Sequence, residues 1–132
     1  MRLRLSRMRM YSRWLPFGNR VVSKVPVNPI FGQAGYFQKQ APERIPLALD
    51  RFNAEVARVM TVFDGILGKH NFAAGSTFTI ADIAHFGWIW RRTFADIDLD
   101  RYPNVRTWHD RVASRPAIHR AIDRVNALIP EG

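Results

Sequence analysis

The stretch Phe78-Thr79-Ile80-Ala81-Asp82-Ile83 constrains the fold more than any other part of the chain, because it specifies the same helix start by several independent devices. The Thr79 hydroxyl can accept from the amide of Asp82, three residues on, while the Asp82 carboxylate can reach back to the Thr79 amide. This is a capping box with Asp in place of the commoner Glu. Phe78, just before the cap, and Ile83, four positions inside, are spaced for a hydrophobic staple. The helix that follows carries Ile80, Ile83, Ala84, Phe86, Gly87, Trp88, Ile89 and Trp90 and is apolar nearly all round. Such a helix is expected to be buried in a bundle, and to stop near Arg92–Phe94.

Upstream, Ile45, Leu49, Phe52, Val56, Val59, Phe63 and Ile66 are spaced 4, 3, 4, 3, 4, 3. That spacing lays them on one stripe of a long amphipathic helix, with Arg44, Arg51, Glu55, Arg58 and Lys69 over much of the other side. Pro46 is tolerable only near its start, so the helix is expected over about residues 43–69, with Gly68 and Asn71 as stop signals. Downstream, Asp96-Ile97-Asp98-Leu99-Asp100 reads as a polar loop. Pro103 and Pro116 each suit a first helical turn and open helices over about 103–114 and 116–128. Val105, Trp108 and Val112, then Ile118, Ile122 and Val125, keep helical apolar spacing. No strand pattern follows residue 40. The fold class expected is all-α, a bundle of about four to five helices over residues 30–132.

Residues 1–29 differ in kind. They hold Arg2, Arg4, Arg7, Arg9, Arg13, Arg20 and Lys24 with no acid, while the rest of the chain sets its 13 basic groups against all 11 acids. Most of the net charge of +9 therefore belongs to a short leader, and the body is nearly neutral. A nucleic-acid-binding fold would spread its cations over a face, so nucleic acid is not an expected partner of the body. Pro16, Gly18, Pro26, Asn28 and Pro29 interrupt regular structure in the leader. An acid-poor, Arg-rich start fits a mitochondrial transit peptide, a polybasic patch for anionic lipid or nucleic acid, or sequence left where an N-terminal domain was lost; the abrupt change near residue 29 favours the last.

With no cysteine, the chain offers no disulfide framework, thiolate metal site or cysteine nucleophile; this fits a reducing compartment, and a cytoplasmic location is expected. No apolar run approaches the roughly 20 residues of a membrane span. His70, His85, His109 and His119 lack zinc-ligand spacing with one another or with a carboxylate pair. Asp96, Asp98 and Asp100 imitate the start of a calcium loop, but neither the glycine nor the closing glutamate follows. Asp82 as a general base is outweighed by its cap role. No metal site and no catalytic residue is nominated.

The order Phe72-Ala73-Ala74-Gly75, Phe78-Thr79-Ile80-Ala81-Asp82-Ile83-Ala84, Tyr102-Pro103-Asn104-Val105, Trp108, Arg115-Pro116-Ala117 resembles the C-terminal domain of glutathione S-transferases, in which the capped helix is the central helix. Phe31-Gly32-Gln33-Ala34-Gly35-Tyr36-Phe37 and Ala41-Pro42-Glu43-Arg44-Ile45-Pro46 are similar to the bacterial nu-type, yeast-prion-like branch. The resemblance implies an N-terminal thioredoxin-like domain that binds glutathione and activates its thiol. Here 29 residues stand in that place, and Lys24-Val25-Pro26, which faintly matches the stretch before the family's cis-proline, is taken as chance. Glutathione is therefore expected as a co-substrate only if a thioredoxin-like domain is supplied in trans, with no tightly bound cofactor and little activity from the isolated chain.

What the resemblance assigns to this half is one wall of the pocket for an apolar electrophile. Phe31, Gln33, Tyr36 and Phe37 are expected near its first helix, and Trp88, Arg91 and Arg92 toward the central helix. Core packing competes for Phe86 and Trp88, and a solvated helix end for Arg91 and Arg92. Loss of the N-terminal half would leave an apolar face open, so a homo-oligomer or a separate thioredoxin-like subunit is the expected partner. The rivals are a helical binding module whose basic leader contacts nucleic acid or lipid, and a dimerisation domain without a ligand.

Overall fold

A computed structural model describes residues 27–128. Five α-helices follow one another: α1 (Val27–Lys39), α2 (Pro46–Leu67), α3 (Ile80–Trp90), α4 (Pro103–Ala113) and α5 (Pro116–Leu128), with short 3-10 turns at Arg92–Ala95 and Leu99–Arg101. Among the described residues there is no strand, only an isolated bridge between Phe72 and Gly75. The readings of the leader fall on residues outside this range, apart from the first residues of α1.

Helix α1 begins at Val27 and takes in Pro29 in its first turn, where a missing amide proton costs nothing. Periodicity had not marked this helix, and its two internal glycines explain why, since each is about 1 kcal/mol worse than alanine in a helix interior. Packing accounts for both. A Cβ on Gly35 would lie 2.1 Å from the Phe94 ring, and one on Gly32 would touch Trp88 at 3.4 Å. The residues that obscure the helix in the sequence are those that let its neighbours approach.

Helix α2 starts at Pro46 instead of near residue 43, because Ile45 before the proline is extended (φ −109°, ψ 95°), as steric conflict with a proline ring favours. The buried side is broader than the stripe read from spacing. Leu49, Val56, Val59 and Phe63 are joined by Met60 and Leu67, while Ile45 is exposed. The Asp64 side chain on this helix accepts from the amides of Asn104 (2.9 Å) and Val105 (3.0 Å) and from Asn104 Nδ2 (2.9 Å). Those amides open α4, whose own N-cap, Tyr102, makes no side-chain cap. One helix thus caps another.

The segment 96–100 corrects the polar-loop reading. Ile97 and Leu99 are buried in the core, with Asp96, Asp98 and Asp100 outside. The Asp98 side chain accepts from the Asp100 amide (2.9 Å) to start a 3-10 turn.

Around α3, the Thr79 hydroxyl accepts from the Ala81 amide (3.2 Å), Asp82 Oδ2 accepts from the Thr79 amide (2.8 Å), and the box is closed in both directions. Asp82 is fully buried and its Oδ1 also receives the Ala73 amide (2.9 Å) and Trp108 Nε1 (2.8 Å). The carboxylate therefore joins the 72–75 turn, the α3 start and α4. That turn needs Gly75, whose φ of +144° few side chains accept. Phe78 sets its ring against Phe72 (6.0 Å between centroids) and beneath the Arg115 guanidinium (3.9 Å). Ile83, half-exposed at 52%, stands on the open side of the helix.

The core fills the space between α2, α3 and α4. Phe63 packs edge-on against Trp108 (5.1 Å) and face-on against His85 (5.0 Å). His85 is buried and its Nδ1 meets the Ala81 carbonyl at 2.7 Å, which requires the proton on that nitrogen. Helix α5 has no buried residue; Ile118 and Ile122 are half-buried against the core.

Candidate functional site

The all-round apolarity of α3 is not matched by all-round burial. Ala81, Asp82, His85, Phe86 and Ile89 face the core, whereas Ile80 is 78% exposed and Ile83, Ala84, Gly87 and Arg91 share its open side. Positions 80, 83, 84, 87 and 91 follow the helical repeat, so they form one continuous strip. This corrects the expectation of a wholly enclosed helix. The core needs only one face of α3, and nothing among the described residues covers the other.

Beside that strip runs α1. The Trp88 ring reaches Gly32, and Phe94 reaches Gly35, so the two helices advance in the same direction with their C-terminal ends together. Tyr36 lies one turn beyond Gly32 on the same side of α1; its ring is 44% exposed and edge-on to Phe37 (5.3 Å). Lys39, in the last turn of α1, reaches across to the Thr93 carbonyl (2.6 Å) and ties α1 to the 3-10 turn after α3. Tyr36, Trp88 and Arg91 thus belong to one face, with Lys39 and Arg92 at its end.

The other nominated residues stand elsewhere. Phe31 is 1% exposed and interior. Gln33 is exposed and borders a recess of about 610 Å³ with Ile30, Arg51, Phe52, Glu55 and Arg58. There Arg58 donates two hydrogen bonds to Glu55 (2.8 and 2.6 Å) and holds its carboxyl below the usual carboxylate range. Phe37 stacks on Phe52 (5.2 Å) and borders a polar recess of about 550 Å³ with Gln38, Glu43, Arg44 and Asp50. Adjoining it is a smaller one of about 240 Å³ that includes Gln38, Asn53, Asp96 and Arg101. Gly32 and Gly35 are the positions sequence reasoning passed over, and only their spacing along α1 hinted that something must come close.

Chemically, the α1–α3 face offers open apolar surface with an exposed tyrosine and a half-buried tryptophan, bordered by cations. A glutathione thiol titrates near or above a free cysteine's pKa of about 8.5, and it becomes nucleophilic when a donor or cation is held at the sulfur. Among the described residues no group of three His, Cys, Asp or Glu side chains could hold a metal ion. Among the described residues no helix is long and apolar enough to cross a membrane.

The glutathione S-transferase C-terminal domain family model matches residues 27–116, from the first residue of α1 to the first of α5. The disulfide-bond oxidoreductase YfcG of Escherichia coli is 38% identical over 96 residues, covering 73% of this chain and 45% of the relative. The disulfide-bond oxidoreductase YghU of the same organism is 33% identical, covering 76% of this chain and 38% of the relative. Among solved structures, a glutathione transferase of Phanerochaete chrysosporium in complex with oxidized glutathione superposes with a TM-score of 0.72 at 26% identity, covering 77% of this chain and 48% of that one. A glutathione transferase family member from Pseudomonas fluorescens with two glutathione bound does so with a TM-score of 0.64 at 32% identity, covering 82% and 48%. The chain thus spans about half the length, or less, of these relatives. It belongs to the glutathione S-transferase family, and the five-helix bundle is that family's C-terminal domain.

Proposed function

We propose that this chain supplies the helical half of a glutathione-dependent transferase or disulfide-reductase centre, its α1–α3 face forming one wall of the pocket for an apolar co-substrate. The observation that carries this reading is the strip Ile80, Ile83, Ala84 and Gly87, left open beside the exposed Tyr36 and the half-buried Trp88. Exposing Ile80, Ile83 and Tyr36 on one side of a bundle forfeits roughly 25 cal/mol for each Å² of apolar surface left in water, so a partner surface or ligand there is favourable. Relatives named disulfide-bond oxidoreductases and neighbours holding glutathione support the glutathione-dependent class, of the bacterial nu-type or yeast-prion-like branch.

Thiol activation is assigned to a thioredoxin-like domain outside the described residues, provided by a separate subunit. The isolated chain binds co-substrate weakly and turns over little or nothing. It is assigned to the cytoplasm, and self-association through the open face is the expected behaviour without that subunit. The test is a conjugation assay with 1-chloro-2,4-dinitrobenzene, and a mixed-disulfide reduction assay, run on the chain alone and with a relative's thioredoxin-like domain added. Activity appearing only in the mixture supports the reading, and full activity of the chain alone overturns it.

The leader's seven cations without an acid favour a second reading, a helical binding module contacting nucleic acid or anionic lipid. Salt-sensitive DNA binding that vanishes on deleting residues 1–29 would establish it.

A further inference from the structure

The electrostatics around the open face are one-sided. Helix α1 contains no Asp or Glu, residues 83–95 contain none, and the first acid anywhere in the chain is Glu43. The single acid of α3, Asp82, is fully buried and occupied by three N–H donors. Against this stand Lys39, Arg91 and Arg92, gathered where the C-terminal ends of α1 and α3 meet. Lys39 is held there by its bond to the Thr93 carbonyl. Neither Arg91 nor Arg92 makes a side-chain hydrogen bond or ion pair among the described residues. A cation at a helix C-terminus complements the dipole, and Lys39 also shares a recess with Glu43, Asp50 and Asp96, so the charges left without an acid partner are those of Arg91 and Arg92. The leader, with no acid of its own, cannot neutralise the group.

The same place offers flat apolar surface. Trp88 is set against Gly32 with part of its ring open, Tyr36 is exposed one turn along α1, and Arg91 follows Trp88 by three residues, one helical turn up the same side. A ring stacked on Trp88 or Tyr36 would have its substituent within reach of Arg91, whose guanidinium both pairs with planar oxyanions and stacks on aromatic faces.

We propose that the co-substrate bound by the α1–α3 face is an aromatic anion, a ring bearing a carboxylate or sulfonate, with Trp88 and Tyr36 taking the ring and Arg91, assisted by Arg92, taking the charge. This rests on the pocket-wall reading above and adds the charge of the ligand to it.

Two dyes with one scaffold separate the claims: 8-anilinonaphthalene-1-sulfonate, which is anionic, and N-phenyl-1-naphthylamine, which is neutral. Titrations of the full chain are read by dye fluorescence, with far-ultraviolet circular dichroism confirming that each variant is folded. Arg91→Gln is expected to weaken the sulfonate dye about fivefold, the scale of one exposed ion pair, with the neutral dye unchanged. Adding Arg92→Gln should widen the gap, and added salt should close it. Trp88→Ala should weaken both dyes together, and naphthalene-1-sulfonate should displace the anionic dye from the wild type. If Arg91→Gln affects both dyes equally or neither, the anion assignment is wrong while the apolar wall stands. If neither dye binds, or Trp88→Ala changes neither, the wall itself is wrong and the anion assignment falls with it. Displacement by anionic phosphatidylserine vesicles but not by naphthalene-1-sulfonate would replace a small ligand with a membrane surface and overturn the proposal.

Discussion

The two sides of α3 invert the simplest rule of hydropathy. The side turned to the core carries a carboxylate and an imidazole, Asp82 and His85, both buried. The side turned outward carries Ile80 and Ile83, both exposed. Each polar group is inside because its partners are there. Asp82 collects the amides of Ala73 and Thr79 and the indole of Trp108, and His85 bonds the Ala81 carbonyl and stacks on Phe63. The isoleucines are outside because no described element covers them. Burial is thus a property of what packs against a residue, not of the residue's hydropathy alone.

The contrast predicts that equal-sized changes on the two sides will have very unequal effects. Asp82→Ala strands three buried N–H groups, each costing about 1–3 kcal/mol when unsatisfied. Urea denaturation should show a loss of about 4 kcal/mol or no folded protein at all, and a loss below about 1 kcal/mol would mean that the network does not organise the core. Gly35→Ala drives a methyl into the Phe94 ring and should cost about 2 kcal/mol by overpacking; combining it with Phe94→Ala should recover part of that, whereas simple additivity would argue against the contact. Asp64→Ala removes the cap that α2 supplies to α4 and should lower the denaturation midpoint by an amount equivalent to about 1.5 kcal/mol. Thr79→Ala should cost about 1 kcal/mol, and Thr79→Ser much less. Ile80→Ser and Ile83→Ser, on the open side, should shift stability by about 0.5 kcal/mol or less while reducing self-association in gel filtration. A large destabilisation there would show that the open side is part of the monomer's own core.

How much could be read in advance varied with how local the cause was. The start of α3 was legible because a capping box is made by residues three apart. Helices α4 and α5 were legible because a proline at the first turn and apolar residues at helical spacing act within one segment. Helix α1 was not, since Gly32 and Gly35 lower its local propensity and their purpose, admitting Trp88 and Phe94, lies more than 50 residues away. The segment 96–100 was read as solvent-facing from its three aspartates, yet Ile97 and Leu99 anchor it in the core. At the candidate site, the sequence nominated residues of α1 and α3 but could not sort their sides. Phe31 is interior, Gln33 and Phe37 border recesses next to α2, and Tyr36, Trp88 and Arg91 remain on the α1–α3 face.

The amino-acid sequence alone determined that the body is all-helical, where its central helix begins and which family it resembles, because capping, proline placement and helical periodicity act over a few residues and survive without neighbours. Tertiary structure decided which side of that helix is inside, that Asp82 is a hub for three segments as well as a cap, that α2 caps α4, and that three cations meet at one end of an open apolar face. Those outcomes depend on which distant groups arrive next to one another, and solvation and charge interactions take their values only once the neighbours are in place.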